Sequence, residues 1–221
     1  MEEKTGLFVT FEGIEGCGKT TQIARLAEAL RQKNFDIVVT REPGGCQISD
    51  KIRAILLDSN HDSMVPETEL LLYTAARAQH IAQVVRPALD QGKIVLCDRF
   101  CDATLAYQGH GRHLDLEIIN QLNHYACQGT TPDVTLLLDL PVSVGLGRAR
   151  SRNAQSETLD EDRFEQESLE FHQRIREAYL LFSQQQSERI KVIDATGDFD
   201  EVYHRIATTL LPILTSRLSD K

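Results

Sequence analysis

The chain alternates short apolar or β-branched runs with longer stretches that have the period of an amphipathic helix. The runs cover residues 7–11, 37–40, 94–97, 134–138 and 190–193. Four of these five runs are continuously apolar or β-branched, which is typical of strands that are covered on both faces. The pattern predicts an α/β fold of three layers, with helices on both faces of a five-stranded parallel sheet. A helix after the first run is predicted by apolar residues at i, i+3, i+4 and i+7, namely Ile23, Leu26, Ala27 and Leu30.

The longest helical pattern extends from residue 66 to residue 90. Pro66 is suited to a first helical turn, and Gly92 follows the last one. One face carries a narrow apolar seam with 4-3-4-3-4 spacing, formed by Leu71, Ala75, Ala78, Ala82, Val85 and Leu89. Such a seam packs against another helix, either in the core of the same chain or across a dimer interface. A second face places Tyr73 and Arg77 four residues apart, so both side chains can reach one ligand.

The length of the chain allows one large domain or two very small ones. Because no low-complexity linker divides the chain, we expect a single domain over residues 1–221. Hydrophobic residues make up 41% and charged residues 26% of the 221 residues, an ordinary profile for a globular protein. The 24 Lys and Arg residues and the 33 Asp and Glu residues give a net charge of −9. Binding of nucleic acid through bulk charge requires a basic surface, so we expect no nucleic-acid partner.

Cysteine content and hydropathy indicate the cellular compartment of the protein. The five cysteines are an odd number without a C-x-x-C pair, which favours a reducing compartment. The amino terminus lacks a basic segment followed by an apolar one, and no run of about 18 uncharged apolar residues occurs. We therefore expect a cytoplasmic protein that does not associate with membranes.

The segment from Gly13 to Thr20 matches the phosphate-binding pattern G-x-x-x-x-G-K-[ST] in full. It follows an apolar strand and begins an amphipathic helix, which is the context that this motif requires. Glycines let successive backbone N–H groups face phosphate oxygens, and the helix amino terminus adds a favourable dipole. The sequence therefore predicts a nucleotide-binding loop.

Two side chains of this loop carry specific chemistry. Lys19 would place its charge on the β- and γ-phosphates, and the Thr20 hydroxyl would be a ligand of Mg²⁺. A tight turn without a ligand is the alternative, but such a turn needs no lysine. The predicted nucleotide-binding residues are Gly13, Ile14, Glu15, Gly16, Cys17, Gly18, Lys19, Thr20 and Thr21.

Charged residues follow several of the predicted strands. Arg41 comes after the second run, and Asp98 and Arg99 come after the third. Open α/β sheets bind ligands at the carboxyl ends of their strands, so we expect the two arginines near the phosphate loop. Two guanidinium groups repel each other unless an anion lies between them, which favours a phosphate site. The alternative is that the arginines pair with Glu42 or Asp98. The functional interpretation of Asp98 is that it helps to position Mg²⁺.

Several motifs occur together along the chain. They are Phe11-Glu12-Gly13-Ile14-Glu15-Gly16-x-Gly-Lys-Thr-Thr, Arg41-Glu42-Pro43-Gly44-Gly45, Tyr73-x-x-x-Arg77, Asp98-Arg99 and Leu105-Ala106-Tyr107-Gln108-Gly109. In this combination the chain resembles bacterial thymidylate kinases over nearly its whole length. The resemblance implies a P-loop kinase fold with strand order 2-3-1-4-5 and phosphoryl transfer from ATP, with Mg²⁺, to dTMP. It also implies a homodimer.

The same resemblance implies roles for individual side chains at the base and the sugar. Tyr73 would stack on thymine, although its alternative is a core aromatic. Arg77 would donate to thymine O4, where cytosine carries an amino donor instead. Tyr107 would crowd the 2′ position of the sugar, and Glu15 would lie near the 3′-hydroxyl. The implied substrate-binding residues are Glu15, Arg41, Glu42, Arg53, Tyr73, Arg77, Arg99, Thr104, Tyr107 and Gln108.

The remaining substrate contacts are also implied by the resemblance. Thr104 and Gln108 would complete recognition of the base. The acceptor phosphate would be held by Arg41, Arg53 and Arg99. Without the combined pattern, the two polar residues would be interpreted as turn residues and Arg53 as a solvated helix charge.

The resemblance assigns further catalytic arginines to a mobile lid at about residues 145–163. Gly16 stands where some relatives carry an arginine, so three lid arginines would supply that cation instead. An arginine that reaches the oxygens of the transferring group can contribute about 10³–10⁵ in rate. A charge run of this kind is otherwise typical of a solvated face. The implied catalytic residues are Lys19, Arg99, Arg148, Arg150 and Arg152.

Two other functions stay open on the sequence alone. One is another deoxynucleoside or nucleoside monophosphate kinase, although a deoxynucleoside kinase has no need of three arginines around an acceptor phosphate. The other is a P-loop switch ATPase that binds a protein partner. The chain has no Asn-Lys-x-Asp motif for reading guanine, which disfavours a GTPase. An arginine-rich lid has no obvious use in a switch.

Overall fold

The computed structural model describes residues 6–153 and 163–219. Its strands are β1 (Leu7–Glu12), β2 (Ile37–Arg41), β3 (Ile94–Asp98), β4 (Val134–Asp139) and β5 (Ile190–Asp194). Its helices are α1 (Lys19–Arg31), α2 (Gln47–Leu57), α3 (Pro66–His80), α4 (Arg86–Asp90), α5 (Cys101–Thr104), α6 (Leu116–Cys127), α7 (Val142–Asn153), α8 (Leu169–Gln185) and α9 (Phe199–Ser219). Two π-helical segments, Ile81–Val85 and Leu105–Gly111, continue α3 and α5. Within the described ranges, no helix is long and apolar enough to cross a bilayer.

The five strands form one parallel sheet with the order β2-β3-β1-β4-β5. This confirms the predicted fold class and strand order. β1 is central, and β3 lies between β1 and β2. The carboxyl ends of these three strands are therefore adjacent, and the motifs that follow them converge on one edge of the sheet.

Each strand extends one residue beyond its predicted run and ends on a charged side chain. The terminal residues are Glu12, Arg41, Asp98, Asp139 and Asp194. Backbone pairing does not depend on side-chain polarity, and Arg41 still pairs with Asp98. The charged ends therefore belong to the sheet, which determines their backbone positions.

Strands β1, β3 and β4 are buried on both faces, as their continuous apolar runs predicted. The same prediction is wrong for β2, where Val39 is exposed because this strand lies at the edge of the sheet. Val9 and Phe11 of β1 belong to one hydrophobic cluster together with Ile23 of α1. Phe8 belongs to a second cluster together with Ile81. All four residues of the predicted α1 stripe are buried, which confirms that helix and its core-facing side.

The helix predicted over residues 66–90 is confirmed as α3, a π-helical turn and α4. Its apolar seam divides into two parts. Val85 and Leu89 are buried in the second cluster, whereas Leu71 and Ala75 are exposed. The core interpretation therefore holds for one end of the seam, and the other end is a surface of the single chain.

The charged segment that the resemblance assigned to a lid, at about residues 145–163, begins as a helix. α7 extends to Asn153, and its Leu146 and Ala149 side chains are buried. These apolar positions anchor a helix whose other side is polar. Residues 154–162 and the Arg152 side chain lie outside the described residues, and the mobility of the lid stays a prediction.

Candidate active site

The phosphate loop joins β1 to α1 with the backbone geometry that its motif predicts. Gly13, Gly16 and Gly18 have φ angles of 134°, 70° and 95°, a region that favours glycine. Lys19 begins α1, and its Nζ donates to the carbonyls of Gly13 at 3.1 Å and Ile14 at 2.9 Å. The lysine ammonium therefore lies within the curve of the loop, and the residue is buried.

Gly16 is enclosed by α7. A Cβ atom at Gly16 would overlap the carbonyl of Gly145, and a Cβ atom at Gly145 would lie 2.5 Å from the carbonyl of Glu15. An arginine at Gly16 would therefore require the loop or α7 to move. This contact gives a physical reason for the glycine and places α7 against the phosphate loop. Arg148 and Arg150 of α7 are exposed.

Thr20 and Asp98 meet where α1 begins and β3 ends. The Thr20 hydroxyl donates to Asp98 Oδ2 at 2.7 Å. Hydroxyl and carboxylate oxygens are hard ligands, so this donor set fits Mg²⁺. Mg²⁺ usually takes its remaining ligands from water and phosphate oxygens, which the phosphate loop would place nearby.

Arg99 pairs with Glu15 rather than with Asp98. Its backbone is left-handed, with φ of 69°, which is uncommon for a residue with a side chain. The guanidinium donates to the Gly13 carbonyl and to Glu15 Oε1, both at 3.0 Å. Tyr107 donates to the same oxygen at 2.6 Å. Burial opposes ionisation of Glu15, but the Arg99 charge and the other donors hold the pKa of this carboxyl well below its usual value.

Arg41 and Arg53 lie beside the phosphate loop with partners of their own. Arg41 Nη2 lies 3.1 Å from Asp50 Oδ1, so its carboxylate partner is Asp50 rather than Glu42. Arg53 Nη1 donates to the Pro43 carbonyl at 3.0 Å. A groove of about 460 Å³ is lined by Lys19, Thr20, Arg41, Arg53, Asp98 and Arg99, among others. Its four cationic side chains favour a phosphate ligand.

A second cavity, of about 170 Å³, adjoins this groove. Its lining includes every residue that the resemblance assigned to the base and the sugar, namely Glu15, Tyr73, Arg77, Thr104, Tyr107 and Gln108. Phe164 also lines it, with its ring centroid 5.6 Å from that of Tyr107. The residues that line both cavities are Glu15, Glu42, Arg53 and Arg99. The site therefore consists of two spaces that meet at two arginines and two carboxylates.

Arg77 is almost completely buried, at 1% exposure, and is held by several acceptors. These acceptors are Glu42 Oε2 (2.7 Å), Asn123 Oδ1 (2.5 Å), the Phe100 carbonyl (3.1 Å) and Thr104 Oγ1 (2.9 Å). A guanidinium has five N–H donors, so one N–H of Nη1 has no partner among the described residues. Arg77, which we expected to donate to thymine, therefore has one N–H group left for a ligand.

The Glu42 carboxylate is occupied by donors of the protein itself. Arg77 Nε donates to Oε2, and His80 Nδ1 lies 2.9 Å from Oε1. Burial opposes the ionised form, but Arg77 and His80 hold the pKa of Glu42 below its usual value. Glu42 therefore acts as the buried countercharge of Arg77, and its direct contact with a substrate stays a prediction.

A family model described as thymidylate kinase matches residues 11–206 of the chain. The chain belongs to the thymidylate kinase family. Two relatives named thymidylate kinase come from Syntrophotalea carbinolica and Geobacter sulfurreducens. The first relative is 59% identical, and the match covers 91% of this chain and 94% of the relative. The second relative is 55% identical, and the match covers 93% of this chain and 97% of the relative. A crystal structure of thymidylate kinase from Ehrlichia chaffeensis has a TM-score of 0.75 and 32% identity, covering 93% of this chain and 98% of that chain.

The family assignment confirms the resemblance and the enzyme class. The protein is a kinase, and hence a transferase. The comparisons do not favour a P-loop switch ATPase or a kinase of a different acceptor class.

The kinase orients Gln108 through a carboxylate that sequence reasoning missed. The Glu69 side chain is fully buried and accepts from Gln108 Nε2 at 2.8 Å. A carboxylate accepts hydrogen bonds, so the amide nitrogen is the end of Gln108 that faces Glu69. Arg112 and Arg163 balance the charge at 3.3 Å and 2.7 Å from Glu69 Oε2. No motif or spacing in the sequence marks Glu69 for this role.

Helix α8 completes the site, although the sequence assigned it no role. Tyr179 donates to Glu12 Oε2 at 2.7 Å, and the Phe100 amide donates to Oε1 at 2.7 Å. His172 Nδ1 lies 3.2 Å from Glu15 Oε2. Helical spacing could have identified the buried face of α8, which includes Phe171, Ile175, Ala178, Tyr179 and Phe182. Spacing alone does not reveal which carboxylates that face meets.

We expect Glu12→Gln to flatten the pH dependence of stability between about pH 5 and pH 8. Burial, reinforced by the Asp102 charge, raises the pKa of Glu12 to about 8. Its unfolded pKa is about 4.3. Stability from a raised pKa is complete below the unfolded pKa and is lost as the pH rises through the folded one. Urea unfolding at about pH 5 and about pH 8 measures this loss as a difference in the free energy of unfolding.

The wild type should lose more unfolding free energy over this interval than Glu12→Gln. Glu188→Gln, which removes an exposed carboxylate, serves as the control and should behave as the wild type. Equal losses in the wild type and Glu12→Gln would contradict the raised pKa.

Proposed function

We propose that this kinase transfers the γ-phosphoryl group of MgATP to dTMP and releases dTDP and ADP. The observation that carries the proposal is the pair of adjoining cavities that share Arg53 and Arg99. A donor triphosphate suits the side with the phosphate loop. A nucleoside monophosphate suits the side with Tyr73 and Arg77. The two phosphates would then meet at guanidinium groups, which is the arrangement that phosphoryl transfer requires.

On this proposal, catalysis rests on positioning and charge. The loop amides and Lys19 would hold the β- and γ-phosphates, and Thr20 and Asp98 would hold Mg²⁺. Bound Mg²⁺ supplies charge neutralisation to the phosphates. Arg53 and Arg99, with Arg41, hold the acceptor phosphate. That phosphate is already an anion, so the reaction needs neither a covalent nucleophile nor a strong base.

The exposed arginines of α7 are proposed to neutralise the transferring group. α7 contacts the phosphate loop through Gly145, and Arg148 follows Gly145 by about one helical turn. The short separation of Arg148 from this contact along α7 supports the proposal. Arg150 and Arg152 are the other candidates that the resemblance implies.

An assay for ADP with dTMP, dUMP, dCMP and thymidine as separate acceptors tests the proposed function. dTMP should give the highest kcat/KM. Thymidine should give no turnover, because it has no phosphate for the groove arginines to hold. A higher kcat/KM with another acceptor, or ATP hydrolysis that is independent of any acceptor, would contradict the proposal.

Tyr73→Ala should raise the KM for dTMP by about tenfold or more, because stacking on an aromatic ring contributes about 1–3 kcal/mol per base. The KM for ATP should stay within about twofold, since Tyr73 lines the base cavity and not the groove of the phosphate loop. Steady-state kinetics with each substrate varied in turn measures both constants. Tyr203→Ala is the matched control, because this ring contacts Arg25 outside the site. Equal losses for dTMP and ATP would remove the stacking role.

We further propose that the kinase is a homodimer through the face formed by α2, α3 and α6. α3 packs against both neighbours, and the three helices expose the apolar side chains of Ile55, Leu71 and Ile118. The exposed end of the α3 seam lies on this face. Exposed apolar residues on adjacent helices are typical of an interface.

Leu71→Glu should convert the dimer to a monomer in light scattering. The wild type should have twice the 24.9 kDa mass of the chain. Leu71 is 55% exposed, and the control Leu169→Glu changes an equally exposed leucine (54%) on α8. A dimer that survives Leu71→Glu would exclude this face, and a monomeric wild type would exclude the dimer.

We also propose a cytoplasmic location and no nucleic-acid partner. The net charge of −9 supports the second statement. The five cysteines are all free thiols, which supports a reducing compartment.

A further inference from the structure

Two cysteines lie side by side next to Arg77. Cys101 begins α5 and Cys127 ends α6, and their Sγ atoms are 3.1 Å apart. The proposed reaction uses neither side chain. In the described part of the chain, which includes all five cysteines, no other two sulfurs lie within hydrogen-bond distance of each other.

We propose that Cys101 and Cys127 form a reversible disulfide when the protein meets a peroxide. A disulfide joins sulfurs at about 2.05 Å, so the two side chains need to approach by about 1 Å more. The bond would join residues that are 26 positions apart in the chain. It would also link the segments that hold Arg77, since Phe100 precedes Cys101 and Asn123 lies one turn before Cys127.

The two thiols have unequal surroundings, which suits successive roles. The Cys101 thiol and the Arg77 charge stabilise a thiolate at Cys127 against the effect of burial, so the pKa of Cys127 is lowered. Burial instead raises the pKa of Cys101. A thiolate beside a neutral thiol is the arrangement in which one sulfur reacts with an oxidant and the other resolves the product.

A small oxidant can reach the pair. Both cysteines line a surface cavity of about 480 Å³, and Cys101 is partly exposed. The cavity also contains polar side chains such as Asn123 and Arg189. Hydrogen peroxide is small and polar, so it suits such a cavity.

The chemistry balances with one equivalent of hydrogen peroxide. The Cys127 thiolate attacks a peroxide oxygen, the O–O bond breaks, and the leaving hydroxide takes up the proton of the original thiol to give water. Cys101 then attacks the sulfur of the resulting sulfenic acid. The S–S bond forms, the S–O bond breaks, and a second water leaves with the Cys101 proton. The two sulfurs lose two electrons and the peroxide gains them, and a dithiol such as dithiothreitol reverses the change.

Peptide mass mapping of the folded full-length chain tests the proposal. After peroxide treatment, free thiols are alkylated and the protein is digested with trypsin without reduction. Cleavage after Arg112 separates the peptides 100–112 and 113–148, which contain one cysteine each. A species that joins these two peptides should appear in most of the treated protein and disappear with dithiothreitol.

Two variants serve as controls. Cys46→Ser removes a partly exposed thiol whose neighbour is Ser49, and it should leave the yield unchanged. Cys101→Ser should abolish the joined species. The proposal is overturned if both thiols stay open to alkylation at a dose that oxidises Cys46, or if the peptides join only after unfolding. The wild-type comparison decides the matter even where a variant fails to fold.

Discussion

Lys19→Met is expected to lower kcat by about 10³-fold or more, because removal of a charge that stabilises a transferring phosphoryl group has effects of this order. The Lys19 ammonium lies within the phosphate loop, 2.9 Å from the Ile14 carbonyl. Methionine keeps most of the side-chain volume and removes the charge. The measurement is steady-state turnover at saturating ATP and dTMP.

Lys33→Met is the matched control for this prediction. Lys33 is exposed just after α1, so its loss should leave kcat unchanged. Lys19 also binds two loop carbonyls, and thermal melting of each variant separates lost stability from lost catalysis. A folded Lys19→Met variant that keeps more than about a tenth of wild-type kcat would contradict the assigned role.

Arg77→Met is expected to lower the free energy of unfolding by about 3–5 kcal/mol, the usual cost of removing one partner of a buried ion pair. Arg77 and Glu42 are both buried, at 1% and 4% exposure, and lie 2.7 Å apart. Without the guanidinium, His80 is the one side-chain hydrogen-bond partner that Glu42 keeps among residues 6–153 and 163–219. Urea unfolding at pH 7 measures the loss, and Arg31→Met on the surface of α1 should change stability by less than about 0.5 kcal/mol.

The double variant Glu42→Gln/Arg77→Met isolates the charge effect. It removes both charges and should be more stable than Arg77→Met alone, because no unpaired carboxylate is left in the core. If the double variant is no more stable than the single one, the loss comes from packing and not from the buried charge.

The contribution of the Arg77–Glu42 ion pair to stability should decrease at low pH. The pKa of Glu42 is lowered in the folded protein, so its contribution to stability is present above the unfolded pKa of about 4.3. It is lost as the pH falls through the folded pKa. The difference in unfolding free energy between wild type and Arg77→Met should therefore be complete at neutral pH and should shrink below about pH 4.

For the charged residues at the strand ends, the sequence predicted their positions but not their partners. Arg41 and Arg99 were correctly expected near the phosphate loop, because the hydrophobic runs predicted the strands that they follow. The alternative to a phosphate site was that these arginines pair with Glu42 or Asp98. The structure pairs Arg99 with Glu15 instead, because the carboxyl ends of β3 and β1 are adjacent in the sheet although they are far apart in the chain.

The reason for a glycine at position 16 was likewise not predictable from the local sequence. The motif explains why the loop contains glycines, and the resemblance marks Gly16 as a position where some relatives carry an arginine. The reason for glycine here is the backbone of α7, which passes so close that a Cβ atom would overlap the Gly145 carbonyl. No local pattern contains that contact.

By itself, the sequence determined the five strands, the long helix over residues 66–90 and the phosphate loop. Each of these depends on hydrophobic period or on backbone freedom within a few consecutive residues, and such local preferences can be read directly from residue order. Only the tertiary structure decided that Glu42 balances Arg77, that Glu69 orients Gln108 and that Glu15 accepts from Tyr107. These pairs join residues 35 to 92 positions apart. Their partners were selected by the packing of helices on a sheet and by the need to compensate every buried charge.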